Sequence, residues 1–437
     1  MLYHLLKILI SFGMRLYYRE IQIRNRDGLK HKGPLIIIAN HPNTLMDAWI
    51  IGHFSKKPIY YLTKGTFFNT PLKRWILGSL NMIPINRPMD NRTEGVSNTD
   101  SFEACYKILS EGKTLVIFPE GNSVMERFLR ELKTGTARIA LEALRRNDGN
   151  LNLGIVPVGL FYSQANRFRS SVYVNVGDVV SIDEYLPGYE KEPISTSRDL
   201  TLRFRTLLEG VNVVSASKEM EKLSDNVSGL LKFAGYKGTV ENKVALVKLV
   251  NSNLERIQLE CPEELESIQR IVDSALWQRD QLDHKGAFTK DDVNRKGYLR
   301  KLIFSMIYLL PGFPLFVLGF LFNFVAFFTT RLLVPKLITN VEYYAPLAVL
   351  FGLVLYPLFY TLNLFLIHRY FGFDALILVP TLLSMPLLGM FAFNYSLVSR
   401  SIFENWVGFF GSRTKMEASQ RLADTISELR KKLSITE

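Results

Sequence analysis

The chain has 437 residues, too many for one small core, so two or three domains are expected. Its 53 Lys and Arg against 41 Asp and Glu give a net charge of +12; with no zinc-finger, basic-zipper or aromatic-basic RNA motif, an anionic membrane fits this charge better than nucleic acid. Two widely separated cysteines, Cys105 and Cys261, exclude a disulfide scaffold and a cysteine metal motif, and imply a reducing compartment.

The first stretch, residues 1–20, sets His4, Lys7, Ser11 and Arg15 along one polar stripe of an otherwise apolar helix. No small-residue cleavage site follows, so an interfacial helix lying on a membrane is expected rather than a signal peptide. Residues 21–182 read as α/β. The apolar runs "LIIIA", "MIPI", "TLVIF", "LGIVPVGL" and "VYVNVG" have the length of buried strands, and Asp100–Leu109 and Thr136–Arg146 have helical spacing between them. A sheet flanked by helices follows from that alternation.

Residues 183–301 are charged and helical, and read as a connector with solvated faces. Residues 302–400 carry three long uncharged runs, Leu302–Thr330, Ala345–Ile367 and the stretch from Ala375 up to Arg400, each longer than the roughly 20 residues that cross a bilayer. A C-terminal α-helical transmembrane region is therefore expected. Three simple spans would carry the basic tail (Arg413, Lys415, Arg421, Arg430, Lys431, Lys432) to the side opposite the α/β domain, against the positive-inside bias. "PGFP" at Pro311–Pro314 suggests instead a re-entrant hairpin followed by two spans, with the α/β domain and the tail on the cytoplasmic side. In residues 401–437, Leu422, Ile426, Leu429 and Leu433 draw the apolar face of a closing amphipathic helix.

The chemistry-bearing residues gather at strand ends. In "LIIIANHPNTLMD", Pro42 biases His41 toward extended backbone, so that a strand ends at His41 and a helix starts just beyond it. Only a strand, turn and helix of this kind lets His41 meet Asp47; a single helix would point the two apart. The competing reading makes Thr44 and Asp47 a capping box for that helix. Arg87, the pair Glu120 and Gly121, and Pro157 lie at or in other apolar strands, and strand ends of an open sheet are where ligands collect.

Taken in order, these residues resemble the four blocks of the glycerolipid acyltransferases that esterify glycerol-phosphate: Asn40, His41 and Asp47; Gly78 through Arg87; Phe118-Pro119-Glu120-Gly121; and Val156-Pro157-Val158-Gly159. The likeness covers about Leu35–Gly177. Five residues separate His41 from Asp47 where the commonest family pattern has four, a spacing similar to that of the fungal-type glycerol-3-phosphate/dihydroxyacetone-phosphate acyltransferases and some bacterial relatives. The resemblance implies an enzyme in which His41 is a general base and Asp47 its orienting acid. Arg87 would hold the acceptor phosphate, with Asn40, Glu120 and Gly121 in the acceptor site. Lys133 is either a second phosphate contact or a surface lysine, and Pro157 would shape the wall of the acyl-chain site. The co-substrate would be acyl-CoA or acyl-carrier protein, with no other cofactor and no metal. Glycerol-3-phosphate or dihydroxyacetone phosphate is the expected acceptor and lysophosphatidate the alternative; a non-catalytic scaffold or transporter is the alternative of another class. Membrane lipids are the expected surroundings, in a bacterial inner membrane or an endoplasmic reticulum.

Overall fold

The strand "LIIIA" lies near the middle of a seven-stranded sheet. The structure is a computed structural model that describes residues 2–86, 97–234, 238–281, 295–409 and 413–435. The strands are β1 (Glu20–Arg24), β2 (Leu35–Ala39), β3 (Ile59–Lys64), β4 (Met82–Ile85), β5 (Thr114–Ile117), β6 (Gly154–Tyr162) and β7 (Ser171–Val176), in the spatial order β1-β7-β6-β2-β5-β3-β4. Every pair is parallel except β6 with β7. A strand flanked by neighbours on both edges and covered on both faces needs no polar residue, which is why β2 is a continuous apolar run.

Helices cover both faces. Ile36, Ile38, Leu115 and Ile155 point toward α4 (Asn98–Ser110), α5 (Gly135–Arg146) and α7 (Pro193–Val211), and share a core with Leu109, Leu141, Leu200 and Phe204. The alternate residues Ile37, Val116 and Tyr61 are in register with one another and face the other way. There the Tyr61 hydroxyl donates to the Ala48 carbonyl of α2 (Leu45–Phe54), against which α1 (Leu2–Tyr17) packs. The short α3 (Pro71–Ser79) precedes β4, and α6 (Leu186–Lys191) precedes α7.

The chain divides into two compact units. The first runs up to Ser215 and takes in Ile338–Leu350; the second comprises Ala216–Leu337 and Phe351–Glu437. The change in composition near residue 183 is therefore not where packing changes, because α7 contributes Leu200, Phe204 and Leu208 to the sheet's core. In the second unit, α8 (Lys218–Phe233), α9 (Val240–Glu260) and α10 (Pro262–Gln281) are not merely a solvated connector. They bury Val227, Leu230, Val250, Leu254, Ile268 and Val272 together with Leu422, Ile426, Leu429 and Leu433 of α14 (Arg413–Lys432). The apolar stripe read in the C-terminal tail is thus covered by protein.

Three further helices, α11 (Arg295–Leu337), α12 (Tyr344–Phe371) and α13 (Ala375–Phe409), include stretches long and apolar enough to cross a membrane, and they make the chain an integral membrane protein. The expected hairpin at Pro311–Pro314 is not formed: both prolines lie inside an unbroken α11. Proline removes backbone donors from a helix, and membrane helices tolerate it where a neighbour supplies one. The Tyr395 hydroxyl of α13 donates to the Leu309 carbonyl at 2.8 Å, next to Leu310, whose carbonyl Pro314 leaves without its helical donor. Deeper in the pair, Asn323 donates to the carbonyls of Gly319 and Met385 and accepts from the Tyr360 hydroxyl of α12 at 2.6 Å. At Gly319 an added Cβ would lie 2.1 Å from the Leu388 carbonyl oxygen, so only glycine allows this approach of α11 to α13.

Because α10 and α14 share a core, the two ends of the apolar region between them are expected on one side of a membrane. In a Cys261→Ser background, single cysteines replacing Ser274 of α10 and Gln420 of α14 are expected to react with an impermeant maleimide from the same face of sealed vesicles. Labelling from opposite faces would contradict the shared core.

Candidate active site

The turn after β2 brings His41 and Asp47 together. His41 Nδ1 lies 2.9 Å from Asp47 Oδ2, and the Asp47 side chain is fully buried while that of His41 is 19% exposed. A carboxylate only accepts hydrogen bonds, so Nδ1 is the donor, and in the neutral imidazole the lone pair is on Nε2. Asp47 Oδ2 also accepts from the Asn43 amide at 2.7 Å, and Oδ1 accepts from the Tyr162 hydroxyl at 2.6 Å. The two sequence readings of Asp47 therefore merge, since one carboxylate both reaches back to an amide ahead of its helix and orients the histidine. Thr44 takes no part in a capping box. Its hydroxyl donates to the Glu342 carbonyl, and it makes no side-chain cap.

Thr44 has φ 45°, in the left-handed region that β-branched residues avoid. Such strain costs about 1–3 kcal/mol and persists only where the surroundings over-determine it. The Thr44 amide is fixed by the Ser123 hydroxyl at 2.9 Å, and the His41 carbonyl by the Val124 amide at 3.1 Å. The loop after β5 thus clamps the turn after β2, and Phe118 of that loop stacks on the His41 ring with centroids 3.9 Å apart.

Glu120 belongs to the same clamp. One carboxylate oxygen accepts from the His41 amide and the other from the Arg130 amide, both at 3.3 Å. Burial raises its pKa above the ordinary carboxylate value; the two amide bonds oppose that shift without overcoming it. Gly121 has φ 74° and closes the turn by donating to the Phe118 carbonyl, a conformation that suits glycine. Lys133 is exposed, but its amide donates to the Pro119 carbonyl and its Cγ lies 3.7 Å from where a Cβ on Gly121 would stand. Asn40 is engaged elsewhere: its side chain donates to the Leu160 carbonyl and accepts from the Leu160 amide, bridging β2 to β6. Pro157 is buried inside β6, not at an edge. Its carbonyl accepts from Gly177, so its nitrogen also faces β7, at a point where the ladder skips between the Val158–Val176 pair and the Ile155–Val180 bridge. Arg87 lies outside the described residues.

The residues not read from the sequence are Tyr162, Asn43 and Ser123, and Phe118 was read only as a member of a block, not as a ring against His41. Tyr162 carried one signal, an aromatic hydroxyl closing a buried apolar strand, where such a group requires a partner. Burial and the Asp47 carboxylate hold its phenol far above its ordinary value, so it remains a donor.

Residues 20–160 match the family model described as Acyltransferase. Among curated proteins the chain is similar to glycerol-3-phosphate O-acyltransferase 2 of Saccharomyces cerevisiae, 31% identical over 27% of this chain and 16% of that protein. It is also similar to glycerol-3-phosphate O-acyltransferase 1 of the same yeast, 33% identical over 22% of this chain and 13% of that one. A 1-acyl-sn-glycerol-3-phosphate acyltransferase of Borreliella burgdorferi is 25% identical over 44% of this chain and 74% of its own. The two yeast alignments thus take in less than a fifth of each relative's length. Among solved structures, the 1-acyl-sn-glycerophosphate (LPA) acyltransferase PlsC of Thermotoga maritima matches 48% of this chain and 79% of its own at 17% identity, with a TM-score of 0.34.

Tyr162→Phe removes one donor from a buried carboxylate and is expected to lower unfolding stability by about 1–3 kcal/mol. A double-mutant cycle with Asp47→Ala measures the coupling; additive losses would mean that the tyrosine only packs.

Proposed function

We propose that this chain, a member of the glycerolipid acyltransferase family through its residues 20–160, transfers a fatty acyl group from a thioester donor to the sn-1 hydroxyl of glycerol-3-phosphate or dihydroxyacetone phosphate. The observation that carries the reading is the bond from His41 Nδ1 to the buried Asp47, which leaves Nε2 as a base of fixed orientation at the end of β2. His41 Nε2 removes the proton of the acceptor hydroxyl as its oxygen attacks the thioester carbonyl carbon. A carbon–oxygen bond forms, the carbon–sulfur bond breaks, and the imidazolium returns its proton to the departing thiolate. Proton transfer of this kind typically contributes about 10²–10⁴-fold. Asp47 stabilises the imidazolium without taking the proton itself. Because the histidine activates the acceptor's own hydroxyl, no acyl-enzyme is needed, and the buried Cys105 plays no part.

The acceptor phosphate is assigned to Arg87, whose planar guanidinium suits a bidentate contact. Gly121 leaves room for the acceptor to approach the backbone, with Lys133 beside it. Glu120 acts by holding the His41 amide in place. The donor is acyl-CoA or acyl-carrier protein. The membrane helices suit a reaction whose acceptor is water-soluble and whose product is an amphiphile, and α1 serves as an interfacial helix with the α/β domain on the cytoplasmic side.

The similarity to the Borreliella burgdorferi protein, which extends over more of this chain than either yeast alignment, favours a second acceptor, 1-acyl-sn-glycerol-3-phosphate. Membranes carrying the wild type and His41→Ala, given labelled acyl-CoA or acyl-carrier protein, separate the two. Transfer to a three-carbon phosphate that falls at least about 10²-fold in the variant is the expected result. Transfer to lysophosphatidate alone replaces the acceptor and keeps the mechanism. A fully active His41→Ala protein, or no transfer to any acceptor, rejects the reading.

A further inference from the structure

The polar stripe of α1 does not simply face water. His4, Lys7, Ser11 and Arg15 line a concavity of about 470 Å³ closed on its other side by His53 in the last turn of α2. None of the side chains lining it is a carboxylate. Burial and then the positive charges of Arg15, Lys7 and Arg26 push the His53 imidazole below its ordinary value, as expected where cations converge without an acid among them. The C-terminus of α2 accounts for part of this charge: Lys7 donates to the Ser55 carbonyl at 2.7 Å and Arg26 to the Phe54 carbonyl at 2.9 Å. It does not account for Arg15 or His53, which make no hydrogen bond or ion pair among the described residues.

Beside the concavity, α1 exposes Leu5, Ile8, Leu9 and Phe12, at i, i+3, i+4 and i+7, each between 42% and 66% accessible. Ile8 and Phe12 belong to both features, forming the apolar rim of the cationic hollow. An apolar ridge next to a basic hollow matches an anionic phospholipid, whose chains and phosphate have the same adjacency. A soluble phosphate would use the hollow and leave the ridge unexplained.

We propose that the concavity between α1 and α2 binds the phosphate headgroup of an anionic phospholipid, with Leu5, Ile8, Leu9 and Phe12 entering the bilayer beside it. Arg15 and Lys7 face the phosphate and Ser11 donates to it. The site holds a lipid that is not consumed, and it is independent of the acyl-transfer reading.

The test uses the full chain purified in a neutral detergent and equilibrated with equal amounts of phosphatidylglycerol and phosphatidylcholine. Lipid retained per protein is then counted by mass spectrometry, without turnover, so an inactive protein tests the site equally well. The wild type is expected to retain phosphatidylglycerol preferentially. Arg15→Gln with His53→Gln is expected to lose about fivefold of it, the effect of about one cationic group at an anionic surface, with phosphatidylcholine unchanged. Arg15→Lys is expected to keep it, and Arg15→Gln alone, at an exposed position, stands in should the double variant not fold. Equal retention of both lipids by the wild type, retention unaffected by the substitutions, or complete displacement of phosphatidylglycerol by inorganic phosphate alone would each overturn the proposal.

Discussion

The site depends on one buried carboxylate. Asp47 has no solvent to satisfy it, and an unpaired charge in that position would cost several kcal/mol. Its three donors come from different parts of the chain: His41 from the end of β2, the Asn43 amide from the turn, and Tyr162 from the end of β6. Satisfying Asp47 therefore fixes the turn, the first turn of α2 and the neighbouring strand together. Together with the Ser123 and Val124 bonds from the loop after β5, it holds the turn in which Thr44 sits at positive φ.

Around this centre, two polar side chains act on backbone. Glu120 joins the His41 turn to the stretch around Arg130, and Asn40 continues the pairing between β2 and β6 beyond the strand proper. A histidine base works only if its ring cannot turn, and Phe118 stacked on one face restricts it further. On the proposed reading the rigid framework is what catalysis requires, because a misplacement of about 1 Å can cost about 10²-fold in rate.

Much of this was legible in the sequence. The buried strands β2, β5, β6 and β7 stood out because burial on both faces demands largely apolar runs, and β4, half-buried at the sheet's edge, stood out by the apolar run "MIPI" alone. The strands β1 and β3 did not: "EIQIR" and "IYYLTK" are only half-buried, and their mixed residues fit several local structures. The meeting of His41 with Asp47 followed from Pro42, a local constraint. Tyr162 and Asn40 act across 115 and 120 positions of sequence respectively, which no local pattern encodes. The hairpin at Pro311–Pro314 was misread for the same reason, since α13, the helix against which the unbroken α11 packs, lies far along the chain. The tail's apolar stripe was read correctly as a stripe, but its partners in α8, α9 and α10 belonged to a segment whose charge had concealed its core.

The central claim is that Asp47 orients His41 so that Nε2 is the base. Asp47→Asn tests it most directly, because the amide preserves the shape while favouring the wrong imidazole tautomer. The account predicts that kcat for acyl transfer falls by roughly 10³–10⁴-fold, with little change in KM for either substrate. A variant that retains wild-type kcat would contradict it, leaving Asp47 a helix-capping residue and the base unassigned.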